Sequence, residues 1–397
     1  MGDWKRSILI MSAGLPLKDS NNGGAATLYG LINDIRMDYK LYLISYFLDS
    51  EKSKINDLPK DVNVIRLFKS RSSKLYSIFI SPFKLVFSTI NPLFFYMDFS
   101  DHKFKKDVLK FLSTNKINVI NVQWTSMGRF IPFIKRKYPD IKVVTYMHDI
   151  DSQRFDRRTL PKFFKSIFSK VIIRAEIRIV NLSSIVLCPS EKDSIILRKL
   201  LSEREQKKVQ TMKLNFQTFF SLDFPKRVEN IGFFGLMSRP DNYLALDWFI
   251  DNVFLKLDEN KFNLLIAGYG MPKYLVQKLS GFHNVKYLGF VKDLSKYISN
   301  CDLFIAPIQQ GAGVKLKVVQ ALSGGRPVIG TNIAYEGIDD TNILPRSNSP
   351  IDFLRGINHL ASDFNHFHKL CEESRNVADS FLNQGVNILN VLNHVTE

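Results

Sequence analysis

The chain is poor in cysteine, with three in 397 residues at Cys188, Cys301 and Cys371. Three scattered thiols make neither a disulfide framework nor a metal cluster. No apolar run approaches about 18 residues, which argues against a transmembrane helix. The opening Met1-Gly2-Asp3-Trp4-Lys5-Arg6 is polar and leads into a short strand, with no signal-peptide apolar core. A cytoplasmic protein is therefore expected. Acidic residues are also short, but only locally. Residues 1–225 carry 38 Lys and Arg against 21 Asp and Glu, whereas residues 226–397 carry 17 of each, so the whole formal charge of +17 sits in the first part. An imbalance this sharp predicts an anionic partner for that part, such as phosphorylated lipid, a membrane surface or nucleic acid. No recognised nucleic-acid motif accompanies the charge, and none is expected as a partner.

At this length two domains are expected. Both halves alternate buried-strand runs with helical periodicity, the pattern of an α/β fold with parallel sheets. In the first half the runs are Ser7–Ser12, Tyr39–Phe47, Val62–Leu67, Val119–Gln123, Lys142–Tyr146 and Ile185–Pro189. A polar stretch, Glu203–Arg227, reads as a linker, dividing the chain into domains 1–225 and 226–377. The second half repeats the pattern with Asn230–Phe234 ending at Gly235, Phe262–Ala267 ending at Gly268, Val285–Val291, Leu303–Pro307 and Val328–Gly330. The end of the chain is helical, and residues 378–397 are expected to return to the first domain.

One stretch stands out chemically. After Leu303–Pro307 comes the turn Gly311-Ala312-Gly313, then apolar residues at helical spacing (Val314, Val318, Leu322). A helix N-terminus offers unpaired N–H groups and about half a positive charge, and two glycines let an anion approach the backbone. Lys315 and Lys317 fall where they oppose the helix dipole, and a bound diphosphate would account for them. In the first half, Lys142–Tyr146 ends at Met147-His148-Asp149. Open parallel sheets bind ligands outside the carboxyl ends of their strands, which makes His148 and Asp149 functional candidates. A histidine there is otherwise a structural one.

Two stretches read in two ways. Residues 69–106 are rich in aromatics (Tyr76, Phe79, Phe83, Phe87, Phe94, Phe104) between basic clusters, which suits either a core or an interfacial membrane surface. Leu160, Phe163, Phe164, Ile167, Phe168, Val171 and Ile172 line one helical face, with no acid between Asp156 and Glu176. Any α/β domain needs covering helices, so the apolar face is assigned to the core and the basic back to a membrane surface.

The second half, as an ordered series, resembles the glycosyltransferases of GT-B architecture, in particular retaining family 4. FFGLMSRPDNYLALDWF, LLIAGYG, VKYLGFVKDL and GAGVKLKVVQALSGGRPVIGTNIAYEGI follow one another as in that family's donor domain. NNGGAA and VVTYMHDIDSQRF resemble its first domain, so the likeness covers nearly the whole chain. The resemblance implies two Rossmann-like domains with parallel sheets facing an interdomain cleft. It implies that Lys315, with Arg239 and Lys317, holds the diphosphate of a nucleotide-sugar, assisted by Gly311 and Gly313. Backbone at Phe290 and Val291 would meet the base, with Gly235 and Gly268 beside it. His148, with Asp149, would meet the transferred sugar, and Gly23 and Gly24 would form the cleft floor. Transfer would proceed with retention, without a protein nucleophile or a metal, to a glycan or lipid-linked acceptor at the inner face of the membrane, in surface polysaccharide synthesis. Many members carry two glutamates eight positions apart; here Ala312 and Gln320 stand in their places. An amide offers one accepting oxygen where a carboxylate offers two, so Gln320 departs from the expected ribose contact and admits a non-catalytic GT-B protein as an alternative. A nicotinamide-binding Rossmann enzyme fits poorly, because Gly268-Tyr269-Gly270 lacks the third glycine.

Overall fold

The computed structural model describes residues 6–18, 23–47, 49–69, 87–97, 101–157, 162–339 and 342–397. The chain divides into two compact units. One comprises the chain up to Lys18, Gly24–Asn215 and Gln384–Glu397; the other is built chiefly from Phe216–Asn383.

The first unit holds seven strands: β1 (Ser7–Ser12), β2 (Lys40–Phe47), β3 (Val62–Lys69), β4 (Val119–Gln123), β5 (Lys142–Tyr146), β6 (Ile185–Cys188) and β7 (Val209–Thr211). They form one sheet in the order β3-β2-β1-β4-β5-β6-β7, with every pair parallel. Strands β1 and β6 read as apolar runs because helices cover both faces of the sheet, so neither side meets water. β3, at the edge, alternates buried and exposed residues instead.

The second unit holds β8 (Asn230–Phe234), β9 (Asn263–Ala267), β10 (Val285–Tyr287), β11 (Leu303–Ala306) and β12 (Val328–Gly330), also all parallel, in the order β10-β9-β8-β11-β12. In each sheet the strand order reverses beside the first strand, between β1 and β4 and between β8 and β11. Parallel α/β sheets open a ligand crevice at such a point, outside the carboxyl ends of the strands.

Three boundaries differ from the sequence reading. The expected linker contains the helix Glu203–Gln206 and β7, and the units divide at Asn215 rather than at residue 225. A three-residue strand is too short to show periodicity, and its pairing with β6 is settled by tertiary contact. The chain returns to the first unit at Gln384, not residue 378. Val386 donates to the Thr211 carbonyl (2.8 Å) and accepts from the Lys213 N–H (2.9 Å), continuing the β7 edge. The final helix, Ile388–Thr396, then buries Val391 and Leu392, and Tyr39 donates to Asn393 Oδ1 at 2.6 Å. Val285–Val291 is a strand only to Tyr287, after which Leu288–Val291 is a loop.

The two ambiguous stretches divide by position. Phe104 is fully buried and stacks on Tyr46 (5.0 Å) and Phe130 (4.5 Å), so it is core. Phe87 and Ile90 are 51% and 79% exposed. Tyr76, Phe79 and Phe83 lie outside the described residues. The helix Lys162–Leu182 buries Val171, Ile172, Ala175, Ile179 and Val180 against the sheet, while Lys170, Arg174 and Arg178 face water. Its apolar face is thus a core face, as assigned; Leu160 lies outside the described residues, as do the side chains of Phe163 and Phe164. No helix among the described residues is long and apolar enough to cross a membrane.

Candidate functional site

In the second unit, two helices begin just beyond the strands that flank the reversal point. Pro240–Asn252 follows β8 with Arg239 at its N-cap, and Leu316–Ser323 follows β11 with Lys315 at its N-cap. Gly311 and Gly313 bend the intervening loop with φ of 102° and 71°, values that favour glycine. Lys317 lies in the first helical turn. Its Nζ donates to Asn242 Oδ1 at 2.8 Å and stands 4.6 Å from the centre of the Phe233 ring, so it ties the second helix to the first. Burial, reinforced by repulsion from Arg239 and Lys315, pulls the Lys317 ammonium down to about 7. Lys315 folds back and donates to the carbonyls of Ala312 (3.1 Å) and Gly313 (2.7 Å). Arg239, half exposed, pairs with Asp241 at 3.0 Å. Three cations and one carboxylate thus surround two helix N-termini, an arrangement that repels itself until an anion arrives.

The neighbouring loops form the rigid back of this site. Gly235 donates to the Ala267 carbonyl (3.1 Å), Gly268 to that of Gly289 (2.7 Å), and Asn242 Nδ2 to that of Leu236 (2.9 Å). Gly268 has φ 132°, and a Cβ there would overlap the Gly235 carbonyl oxygen; the two loops touch only because this residue has no side chain. Phe290, 41% exposed, and the part-buried Val291 follow Gly289 on the loop beyond β10. Gln320, one helical turn beyond Lys317, donates its amide to the Gln217 carbonyl at 3.3 Å.

In the first unit the candidate residues gather at the ends of β4 and β5. His148 stacks on Trp124 (ring centroids 4.0 Å apart, planes at 18°) and meets the edge of Tyr146 at 4.4 Å. Its Nε2 lies 3.0 Å from Gln123 Oε1. Burial of this ring, enclosed by aromatics, lowers its pKa to about 3, so it is neutral at physiological pH. Trp124 adopts φ 71° and ψ 140°, a conformation that costs a non-glycine residue about 1–3 kcal/mol and is kept where the surroundings force it. Gly24, near the start of the helix Gly23–Ile35, passes so close that a Cβ would lie 2.6 Å from Trp124 Cζ2 and 3.3 Å from His148 Nδ1. Behind Gln123, its amide nitrogen donates to Asn121 Oδ1 at 2.5 Å, and the buried Asn121 Nδ2 has no partner. An unsatisfied buried donor costs about 1–3 kcal/mol. Asp149 pairs with Arg154 at 3.6 Å.

The structure therefore gathers Arg239, Lys315, Lys317, Gly311 and Gly313 at one place, with Gly235 and Gly268 behind them. It gathers His148 and Gly24 at another, with Gly23 opening the same helix as Gly24. Asp149 pairs with Arg154. Sequence reasoning missed Asn242, Asp241, Gln123 and Trp124. The pair Asn121 and Gln123 was detectable, because two amides alternate with apolar residues in VINVQ, a pattern out of place in a strand buried on both faces.

Residues 228–363 match the family model described as glycosyl transferases group 1. No curated protein matches the chain by sequence. Among solved structures, the fold is similar to sucrose-phosphate synthase from Thermosynechococcus elongatus (TM-score 0.67, 11% identity, 98% of this chain and 97% of that one). It is also similar to Anabaena HepE in complex with UDP and glucose (TM-score 0.66, 12% identity, 98% of each chain). A third similar structure is S. aureus TarM in complex with Fondaparinux, alpha-GlcNAc-glycerol and UDP (TM-score 0.62, 12% identity, 98% and 100%). Two all-parallel sheets of matching order and a fold shared along nearly the whole chain show the GT-B architecture, and the likeness to the glycosyl transferases of group 1 lies in residues 228–363 of the second unit.

Proposed function

We propose that the protein transfers a sugar from a nucleotide-diphosphate sugar to a glycan or lipid-linked acceptor at the inner membrane surface, with retention, in surface polysaccharide synthesis. The observation that carries this reading is the gathering of Arg239, Lys315 and Lys317 around two helix N-termini at the reversal point of the second sheet. A nucleoside diphosphate leaves as an anion, and fixed positive charge stabilises it most as the glycosidic bond breaks, on the order of 3–4 kcal/mol per well-placed donor. Lys317, held against Asn242, is the fixed point of the three; Lys315 closes on the phosphates by leaving its own loop carbonyls. These cations occupy the role a divalent metal plays in other sugar transferases. The leaving phosphate takes the acceptor proton, and the similarity of the fold to HepE and TarM, both solved with UDP, supports a nucleotide donor. Exposed Phe87 and Ile90, with the basic face of Lys162–Leu182, fit a membrane-borne acceptor.

A panel of labelled nucleotide-sugars, with mass spectrometry of the products, tests the reading. Transfer from at least one donor is expected, reduced about 100-fold or more in kcat/KM by Lys317→Ala. Gln320 favours one alternative, a non-catalytic membrane-surface subunit, since its amide is spent on Gln217. That alternative predicts no transfer or hydrolysis from any donor by folded protein. Gln320→Glu is expected to leave activity intact or raise it.

A further inference from the structure

The two amides of β4 serve His148. Asn121 and Gln123 are 1% and 0% exposed and lie beside apolar strands, with Asn121 in register with Ile10 and Val144. Nothing about packing favours polar side chains there, and one of their donors, Asn121 Nδ2, goes unsatisfied. The pair does have one directional effect. With its nitrogen committed to Asn121 Oδ1, Gln123 can present only its oxygen to the ring.

We infer that Gln123 is a positioning residue that locks His148 as the Nε2–H tautomer, so that Nδ1 is a hydrogen-bond acceptor for the C6 hydroxyl of the bound sugar and the site selects a hexose over the corresponding hexuronate. An amide oxygen accepts and cannot donate, so the proton shared with His148 belongs to Nε2. Nδ1 then carries a lone pair on the side facing Gly24. A hydroxyl donates to that lone pair; a carboxylate, which at neutral pH only accepts, is repelled by it. The ring cannot adapt by taking a second proton, because burial keeps it neutral down to about pH 3. It cannot turn to offer the other nitrogen either, since Trp124 covers its face and Tyr146 abuts it edge-on. The specificity half of the inference rests on the proposed contact between His148 and the sugar; the tautomer lock stands on the geometry alone.

The test uses the full chain labelled with 15N-histidine, the His148 signals being those lost in His148→Gln. Long-range proton–nitrogen spectra are expected to show a protonated Nε2 and an unprotonated Nδ1 in the wild type. Gln123→Glu, which still accepts, should keep that pattern, whereas Gln123→Leu should give a mixture. In kinetics, nucleoside-diphosphate hexoses should be preferred over the corresponding hexuronates by at least about tenfold in kcat/KM, and Gln123→Leu should narrow that preference. A protonated Nδ1 in the wild type would overturn the lock, and equal use of hexose and hexuronate would overturn the selection. Expected spectra together with unchanged transfer by His148→Ala would remove His148 from the sugar site. No transfer from any donor would count against the proposed function instead, while the spectra still decide the lock.

Discussion

At the scale of single residues, Lys317 shows how one side chain can be misjudged from spacing. The spacing places Lys315 and Lys317 together at a helix start and does not rank them, whereas the family resemblance puts Lys315 first. The fold ranks them by packing: Lys317 is wedged between Asn242 and the Phe233 ring, whereas Lys315 lies over its own loop. The ranking has a measurable consequence. With its pKa down to about 7, Lys317 is largely neutral above that pH, and a diphosphate seated against it raises the pKa again. Binding of a nucleoside diphosphate at about pH 8 should therefore take up a proton. Titration calorimetry in two buffers of different ionisation enthalpy should reveal the uptake, and Lys317→Met should abolish it. An identical proton count in the variant would show that another group titrates. Because the unfolded chain binds this proton between about pH 7 and 10.5 and the native one does not, Lys317 alone makes stability rise with pH across that window.

At the scale of elements, most strands were legible in the sequence because a strand buried on both faces must be continuously apolar. The short helix Asp151–Asp156 was not. It is too brief to show a period, and it is held by a tertiary contact: the buried Glu176 accepts from the Ser152 N–H at 3.1 Å and from its hydroxyl at 2.6 Å. Burial outweighs these two bonds and raises Glu176 to about 7 from a usual value of 4.5. The native state thus retains a proton that the unfolded chain loses. Stability from this group is fully present below about pH 4.5 and lost as pH rises through about 7. Glu176→Gln, which cannot ionise, should flatten the stability profile between those values in urea unfolding. A variant with the same pH slope as the wild type would show that the carboxyl does not carry it. Tyr96, which donates to Asp151 Oδ2 at 2.9 Å, closes the same cluster from the segment Pro92–Tyr96, and Phe95 packs on Phe168 beside it.

At the scale of the whole molecule, the charge asymmetry is a sequence property with a surface consequence. The helix Lys162–Leu182 turns Lys170, Arg174 and Arg178 to water, and Phe87 and Ile90 remain exposed in the same unit. Long-range attraction to anionic lipid should dominate such binding and be screened over about 10 Å at 0.1 M salt. The protein is expected to sediment with phosphatidylglycerol vesicles at low salt, to be released as salt rises, and to ignore phosphatidylcholine vesicles. Equal binding to both would sink the electrostatic account. Ile90→Glu should weaken the association without altering the far-UV circular dichroism, because the side chain touches little of the fold.

Composition, the alternation of strands with helices and the ordered motifs of the second half were enough to read the fold class and the parallel sheets, and to mark Arg239, Lys315 and Lys317 as candidates. These depend on burial and local geometry, which leave periodic or glycine-marked traces in a linear chain. The position of β7, the return of the C-terminal segment at Val386, the tie between Lys317 and Asn242 and the amide pair behind His148 depend on which distant residues are brought within hydrogen-bonding reach. Asn242 is 75 positions from Lys317, and Gln123 is 25 from His148. Hydrogen bonds act over about 3 Å, and no local spacing records them, so only the tertiary structure could assign the partners.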